Sequence, residues 1–164
     1  MARNPDAEAR ELTEGSGDAK LQFGELDGLL GYRLRRAQGA MHRDYLASVA
    51  GLDLSQKQTA TLWLVHANPG VSQVQLASAL GMDRATMMAV VDRLEKRGFV
   101  VRKRSATDRR CQELYLTPAG QSILRKVKAR IARHEARFKA LFTPGELEAL
   151  MAALQKFQDA TWSC

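Results

Sequence analysis

Residues 76–117, "LASALGMDRATMMAVVDRLEKRGFVVRKRSATDRRCQELYLT", change their periodicity midway. Up to Arg97 the apolar residues return every three or four positions, as on a helix face. In "FVVRKR" and "QELYLT" they alternate with polar residues, as on a strand. The spacing predicts a short helix stopped by Gly81, the turn "GMD", and a longer helix capped by Asp83 that runs to about Arg97, with Gly98 past its end. A hairpin with "SATDRRC" at its tip follows. Phe99, Val101, Leu114 and Leu116 are expected on one face, and Arg102, Arg104, Glu113 and Tyr115 on the other. A helix pair of this kind is common by itself. Followed directly by a basic hairpin, it predicts a winged helix-turn-helix, mainly α with a small β-hairpin wing. The second helix would enter the major groove of DNA, and the hairpin would follow the backbone or reach the adjacent minor groove.

Charge points the same way. The 164-residue chain carries a net charge of +7, which favours a polyanionic partner. From Arg84 to Arg110 there are nine basic residues against three acids, a net of +6. A purely solvating surface would intersperse the two signs. Arg102, Lys103 and Arg104 are therefore read as phosphate contacts rather than solvated strand residues.

Outward from this segment the chain reads as helical. Residues 1–20 are polar and read as a disordered arm. Leu26, Leu30, Leu34, Ala37, Met41, Tyr45 and Val49 predict a long amphipathic helix over about 22–49. Ser55 with Gln58, and Ser72 with Gln75, have the spacing of capping boxes. Thr117 can cap a further helix with Pro118 at its first position. A stripe of Ile123, Val127, Ile131, His134, Phe138 and Leu141 follows. "TPGE", residues 143–146, opens the last helix, with Leu147, Leu150, Met151, Leu154 and Phe157. Residues 21–50 and 118–164 would be dimerisation helices, and 51–117 the DNA-binding lobe.

Other classes find less support. The longest apolar stretch, "ATLWLVHA" at 60–67, is far short of the roughly 20 residues a membrane span needs. No apolar h-region opens the chain, so a secretory signal is not expected and a cytoplasmic location is. No nucleophile–base pair, Gly-rich phosphate loop or paired acids suggest an enzyme, and no cofactor is implied. Cys111 and Cys164 have no CxxC spacing, and His42, His66 and His134 fall on three different helices, so no metal site is expected. Cys111 is read as a passive thiol, with a redox switch as the alternative.

The order and spacing of "L-G-x-D-x-x-T" (80–86), "V-D-x-L-E-x-x-G-x-V-x-R" (91–102) and "D-x-R…L-T-x-x-G" (108–120) resemble the MarR family of bacterial transcriptional regulators. The resemblance covers roughly residues 50–160, and the helix at 22–49 fits an N-terminal dimerisation helix. It implies a homodimer that reads a pseudo-palindromic operator, with half-sites about one turn (~10 bp) apart. Arg110 matches the wing arginine that enters the minor groove, and Asp108 the acid that braces the wing. Arg84, Thr86 and Arg93 match recognition-helix positions that touch bases or phosphates. Ser72, Met88, Arg102, Arg104 and Arg109 complete the expected DNA-facing set. Many relatives carry Thr-Arg where this chain has Met88-Ala89, which removes a guanidinium able to read guanine and leaves Met88 to a thymine methyl or to the core.

The resemblance also implies a small-molecule effector, often an aromatic carboxylate. "GYRLRRAQ" (31–38) resembles first helices of members that respond to aromatic acids or their CoA thioesters. Tyr32, Arg36, His42, Arg43, Tyr45 and Trp63 supply the cations and rings such a ligand needs. The alternative places Tyr32 and Trp63 in the core. The peroxide-sensing branch has its reactive cysteine in the first helix, where this chain has none. The expected function is a repressor released by an aromatic carboxylate or its CoA thioester. The alternatives are a constitutive or architectural DNA binder and a metal- or redox-responsive regulator.

Overall fold

The computed structural model describes residues 21–105 and 112–160. The chain divides into two compact units, residues 1–39 and 40–164. The expected arm at 1–20 lies outside the described residues.

In the first unit the helix expected from residue 22 does not start there. Gly24–Gly28 form a 3-10 turn, Leu29 is extended, and α1 begins at Leu30 and runs Leu30–Ser48. Gly24 has φ +53°, a conformation that costs glycine little and that interrupts a continuous right-handed α-helix. Arg33 Nε donates to the Asp27 carbonyl at 2.6 Å, and the Arg36 guanidinium lies over the rings of Phe23 and Tyr32 at 4.8 and 5.8 Å.

The second unit starts at Ala40, within α1, and contains the remaining elements. The helices are α2 (Gln56–Ala67), α3 (Gln73–Ala79), α4 (Arg84–Lys96), α5 (Pro118–Lys139) and α6 (Pro144–Asp159). The strands are β1 (Val100–Arg104) and β2 (Gln112–Leu116), paired antiparallel. The capping boxes at Ser55–Gln58, Ser72–Gln75 and Thr143–Glu146 are all formed, and Thr117 caps α5 with Pro118 in its first turn. Each satisfies amides that a helix start would otherwise leave bare.

One core joins these elements. Leu62 and Val65 of α2, Leu76 of α3, Met87, Val91 and Leu94 of α4, Val100 and Leu114 of the strands, and Leu124 and Val127 of α5 are buried together. The seam between the hairpin and α5 is tight. Thr117 N–H bonds the Phe99 carbonyl at 3.1 Å, and its hydroxyl bonds the Gly98 carbonyl at 2.6 Å. A Cβ at Gly120 would stand 1.9 Å from that Phe99 oxygen, so only glycine fits there. This is the glycine of "L-T-x-x-G".

The face assignment of the first strand needs correction. Val100 pairs with Leu116 and Arg102 with Leu114, so the inner face carries Val100 and Arg102, not Phe99 and Val101. Phe99 is still part of the helix exit, since its N–H bonds the Leu94 carbonyl at 2.9 Å. The strand starts one residue later than the pattern implied, and side-chain period two turns a one-residue shift into an exchange of faces. The second strand is as expected, with Leu114 fully buried.

His134 also differs from its expected place on a dimer-facing stripe. It is buried within the chain: Nδ1–H donates to Asp44 at 2.5 Å, and its ring packs edge-on against Tyr45 and Phe138. Arg137 donates to Asp44 at 2.6 Å and to the Ser48 hydroxyl at 2.8 Å. The Arg137 guanidinium, followed by His134, holds the Asp44 carboxyl below the usual aspartate range. Among the described residues no helix is long and apolar enough to cross a membrane.

Candidate nucleic-acid interface

The helix-turn-helix consists of α3, a turn at 80–83, and α4. Gly81 takes φ +59°, and Met82 N–H returns to the Ala77 carbonyl at 2.9 Å, so α3 ends and the chain turns toward α4 within three residues. Asp83 caps α4, accepting the Thr86 amide at 2.8 Å and the Thr86 hydroxyl at 2.6 Å. These bonds, the hydroxyl's first, hold the Asp83 carboxyl below its ordinary range.

Burial divides α4 into two faces. Met87, Val90, Val91 and Leu94 anchor it in the core. Arg84, Ala85, Met88, Ala89, Arg93 and Lys96 face solvent. Met88 is 55% exposed, so of its two expected roles the core is ruled out. The exposed face has methyl-bearing side chains at its centre and cations at both ends. Such a face can meet thymine methyls in a groove while its ends reach phosphates. Arg84, Arg93 and Lys96 have no ion-pair partner among the described residues.

The wing is held on α4 through its inner face and stiffened within itself across its outer face. On the inner face the Arg102 guanidinium bonds Asp92 and Glu95, the two acids of α4, and its side chain is only 17% exposed. On the outer face Lys103 Nζ lies 5.0 Å from the Tyr115 ring centre, and Tyr115 donates to Glu113 at 2.7 Å. The Ser105 hydroxyl, and then the Tyr115 phenol, hold the Glu113 carboxyl below its usual value, while Glu113 raises Tyr115. Gly70 N–H bonds the Leu114 carbonyl at 2.9 Å, which ties the hairpin to the turn between α2 and α3.

The expected DNA-facing residues therefore occupy different settings. Arg84, Met88, Arg93 and Arg104 are exposed. Thr86 is engaged in the cap, and Ser72 is the cap of α3, its hydroxyl donating to Gln75 at 2.9 Å. Arg102 is paired with carboxylates. Asp108, Arg109, Arg110 and Cys111 lie outside the described residues. Sequence reasoning missed the pairing because it counted Asp92 and Glu95 only as opposing charge. The signal was their three-residue spacing on one side of the helix, facing an inward arginine.

The expected effector residues do not form one group within either unit. Tyr32 and Arg36 pack with Phe23 in the first unit. In the second, His42 bonds Gln56 at 3.3 Å, Arg43 is exposed, and Tyr45 is buried with its hydroxyl donating to Thr59 at 2.8 Å. Trp63 is 39% exposed beneath Lys128, whose Nζ is 4.8 Å from the ring centre, so it is not the core residue of the alternative. A cleft of 630 Å³ in this unit is lined by Leu46, Val49, Leu54, Gln58, Arg93 and Lys96, none of them among the six.

The sequence model of the MarR family matches residues 54–112, from the start of the core to the second strand. A protein of Thauera aromatica, described as a transcriptional regulatory protein for the hcr operon, is 33% identical over 139 residues, 84% of each chain. The transcriptional repressor CouR bound to a 23-mer DNA duplex superposes with a TM-score of 0.81 at 40% identity, covering 85% of this chain and 99% of CouR. CouR bound to p-coumaroyl-CoA gives a TM-score of 0.79 at 38% identity, over 87% of this chain and 100% of CouR.

Proposed function

The chain belongs to the MarR family of transcriptional regulators, and from that premise we propose that it is a homodimeric repressor released from its operator by an aromatic acid or its CoA thioester. It is a DNA-binding regulator rather than an enzyme. The observation that carries the reading is the exposed face of α4, bounded by cations with no ion-pair partner among the described residues and followed directly by a braced wing. Arg84, Met88 and Arg93 face the major groove, and Arg104 with the tip residues Asp108, Arg109 and Arg110 serves the flanking backbone and minor groove. Residues 21–50 and 118–164 pair two copies, and 51–117 form the DNA-binding lobe; the protein works in the cytoplasm.

The effector class follows from the relatives. CouR is bound to p-coumaroyl-CoA in one structure and to DNA in another. Tyr32, Arg36, His42, Arg43, Tyr45 and Trp63 remain the candidate contacts. The ligand needs only to favour a dimer whose recognition helices are misspaced for adjacent grooves. A differential affinity of about 3 kcal/mol changes operator affinity ~150-fold.

Fluorescence anisotropy tests this. The purified protein selects duplexes from a randomised library, and the winners are titrated with p-coumaroyl-CoA and with p-coumarate. Tight, palindromic selection and release by one compound are expected. Selection without release by either makes the protein a constitutive binder, and absence of selection overturns the DNA-binding reading.

A further inference from the structure

We propose that Arg102 does not contact DNA and is instead the positioning residue that fixes the wing on the recognition helix. It also neutralises the only two carboxylates that helix carries. Three observations converge. Register places Arg102 opposite the fully buried Leu114, on the face that points into the domain. Its side chain is 17% exposed, against 45% and 38% for the Asp92 and Glu95 side chains it joins. Its two terminal nitrogens go to different carboxylates, one to Asp92 and one to Glu95, so the guanidinium bridges one turn of α4.

This geometry suits arginine alone. A planar fork can serve two acceptors at once, whereas an ammonium on a flexible stem is a single point charge. Arg104, two residues on, contrasts with it: exposed and without an ion-pair partner among the described residues. Asp92 and Glu95 flank Arg93, which faces solvent on the same helix. Left unpaired, they would present two negative charges beside the phosphate backbone. A wing that swings free would also take Arg104 out of register with α4. Arg102 removes both problems through one side chain.

The test compares Arg102→Gln, Arg104→Gln and the triple variant Arg102→Gln/Asp92→Asn/Glu95→Gln with the wild type. Amide hydrogen exchange is read without DNA, and affinity is read against salt on a duplex the wild type has selected. For Arg102→Gln we expect at least tenfold faster exchange at Val101, Lys103 and Glu113, with α2 and α4 core amides unchanged. Its affinity falls at least tenfold, while the slope of log K against log salt keeps the wild-type value. Arg104→Gln leaves exchange unchanged and reduces the slope by about 0.9 for each phosphate that is no longer neutralised. The triple variant regains part of the affinity, because the bare carboxylates are gone, but keeps the fast wing exchange. A merely structural arginine would show neither this split nor the partial rescue. Unchanged exchange in Arg102→Gln overturns the proposal, and so does a slope reduced as in Arg104→Gln. Should the wild type select no DNA, the DNA-binding reading fails by itself, and the exchange comparison still decides whether Arg102 holds the wing.

Discussion

The recognition helix α4 and the last helix α6 have the same design and opposite fates. Both start at a side-chain cap, Asp83 for one and Thr143 for the other, and both carry an apolar stripe at helical spacing. In α4 that stripe is consumed within the chain: Met87, Val90, Val91 and Leu94 are buried. In α6 no residue is buried, and Leu150, Met151 and Phe157 stand exposed, as do Leu141 and Phe142 just before it. A stripe without a covering surface is a standing cost in water. The difference separates a helix whose stripe builds the lobe from one whose stripe is left uncovered, as the proposed pairing of two copies requires.

The largest contrast between a packed and an open helix is expected at two glycines near the starts of α5 and α6. Gly120→Ala in α5 is expected to destabilise the protein by about 3 kcal/mol or more, because the new methyl meets a backbone oxygen that cannot give way. Gly145→Ala in α6 meets nothing within 4 Å and should be neutral or stabilising by up to ~1 kcal/mol. Urea unfolding of both variants reads this directly; equal midpoints would remove the tight seam between the hairpin and α5.

The stripes themselves come next. Leu94→Ala should cost about 2–5 kcal/mol at every protein concentration, since Leu94 is wholly buried. Met151→Ala with Phe157→Ala should act through association: sedimentation shows a shift to monomer, and the melting temperature becomes more dependent on concentration. A double variant that remains a dimer at low micromolar concentration would show that α6 is not at the interface.

Smaller effects should be alike in the two regions. Asp83→Ala and Thr143→Ala each remove a cap, worth about 1 kcal/mol in chemical denaturation. The smallest is a pH effect. Asp44 is held below its ordinary 3.8 by Arg137 and His134, so its folded form binds a proton less readily than its unfolded form. The stability it contributes is complete above the unfolded value and is lost as the pH falls through the lowered folded value. Asp44→Asn should therefore flatten the acid limb of stability below about pH 4. A change confined to neutral pH would assign the effect to another group.

Much of this was legible in the chain because it is local. Caps at Ser55, Ser72, Asp83, Thr117 and Thr143 are read from residues three apart, and each forms as expected. The positive field of the wing is visible in composition alone. The first helix was overextended because Gly24 and Gly28 sit within an apolar period that hides their backbone preference. Among the effector candidates, Tyr45 turned into the core and Trp63 out of it, since neighbours from α5 decide which side is covered.

Element order, the caps, the family motifs and the charge of the basic segment can all be read along the chain, because each depends on near neighbours in it. Which wing arginine is held and which stays exposed depends on packing between elements far apart in the chain. Arg102 and Arg104 are the same residue type on one strand, both on the inner side of the pleat. They differ because Asp92 and Glu95 stand opposite the first and no carboxylate is paired with the second among the described residues. A guanidinium's partner is set by what packs within a few ångströms of it, and that distance is not written in the order of residues.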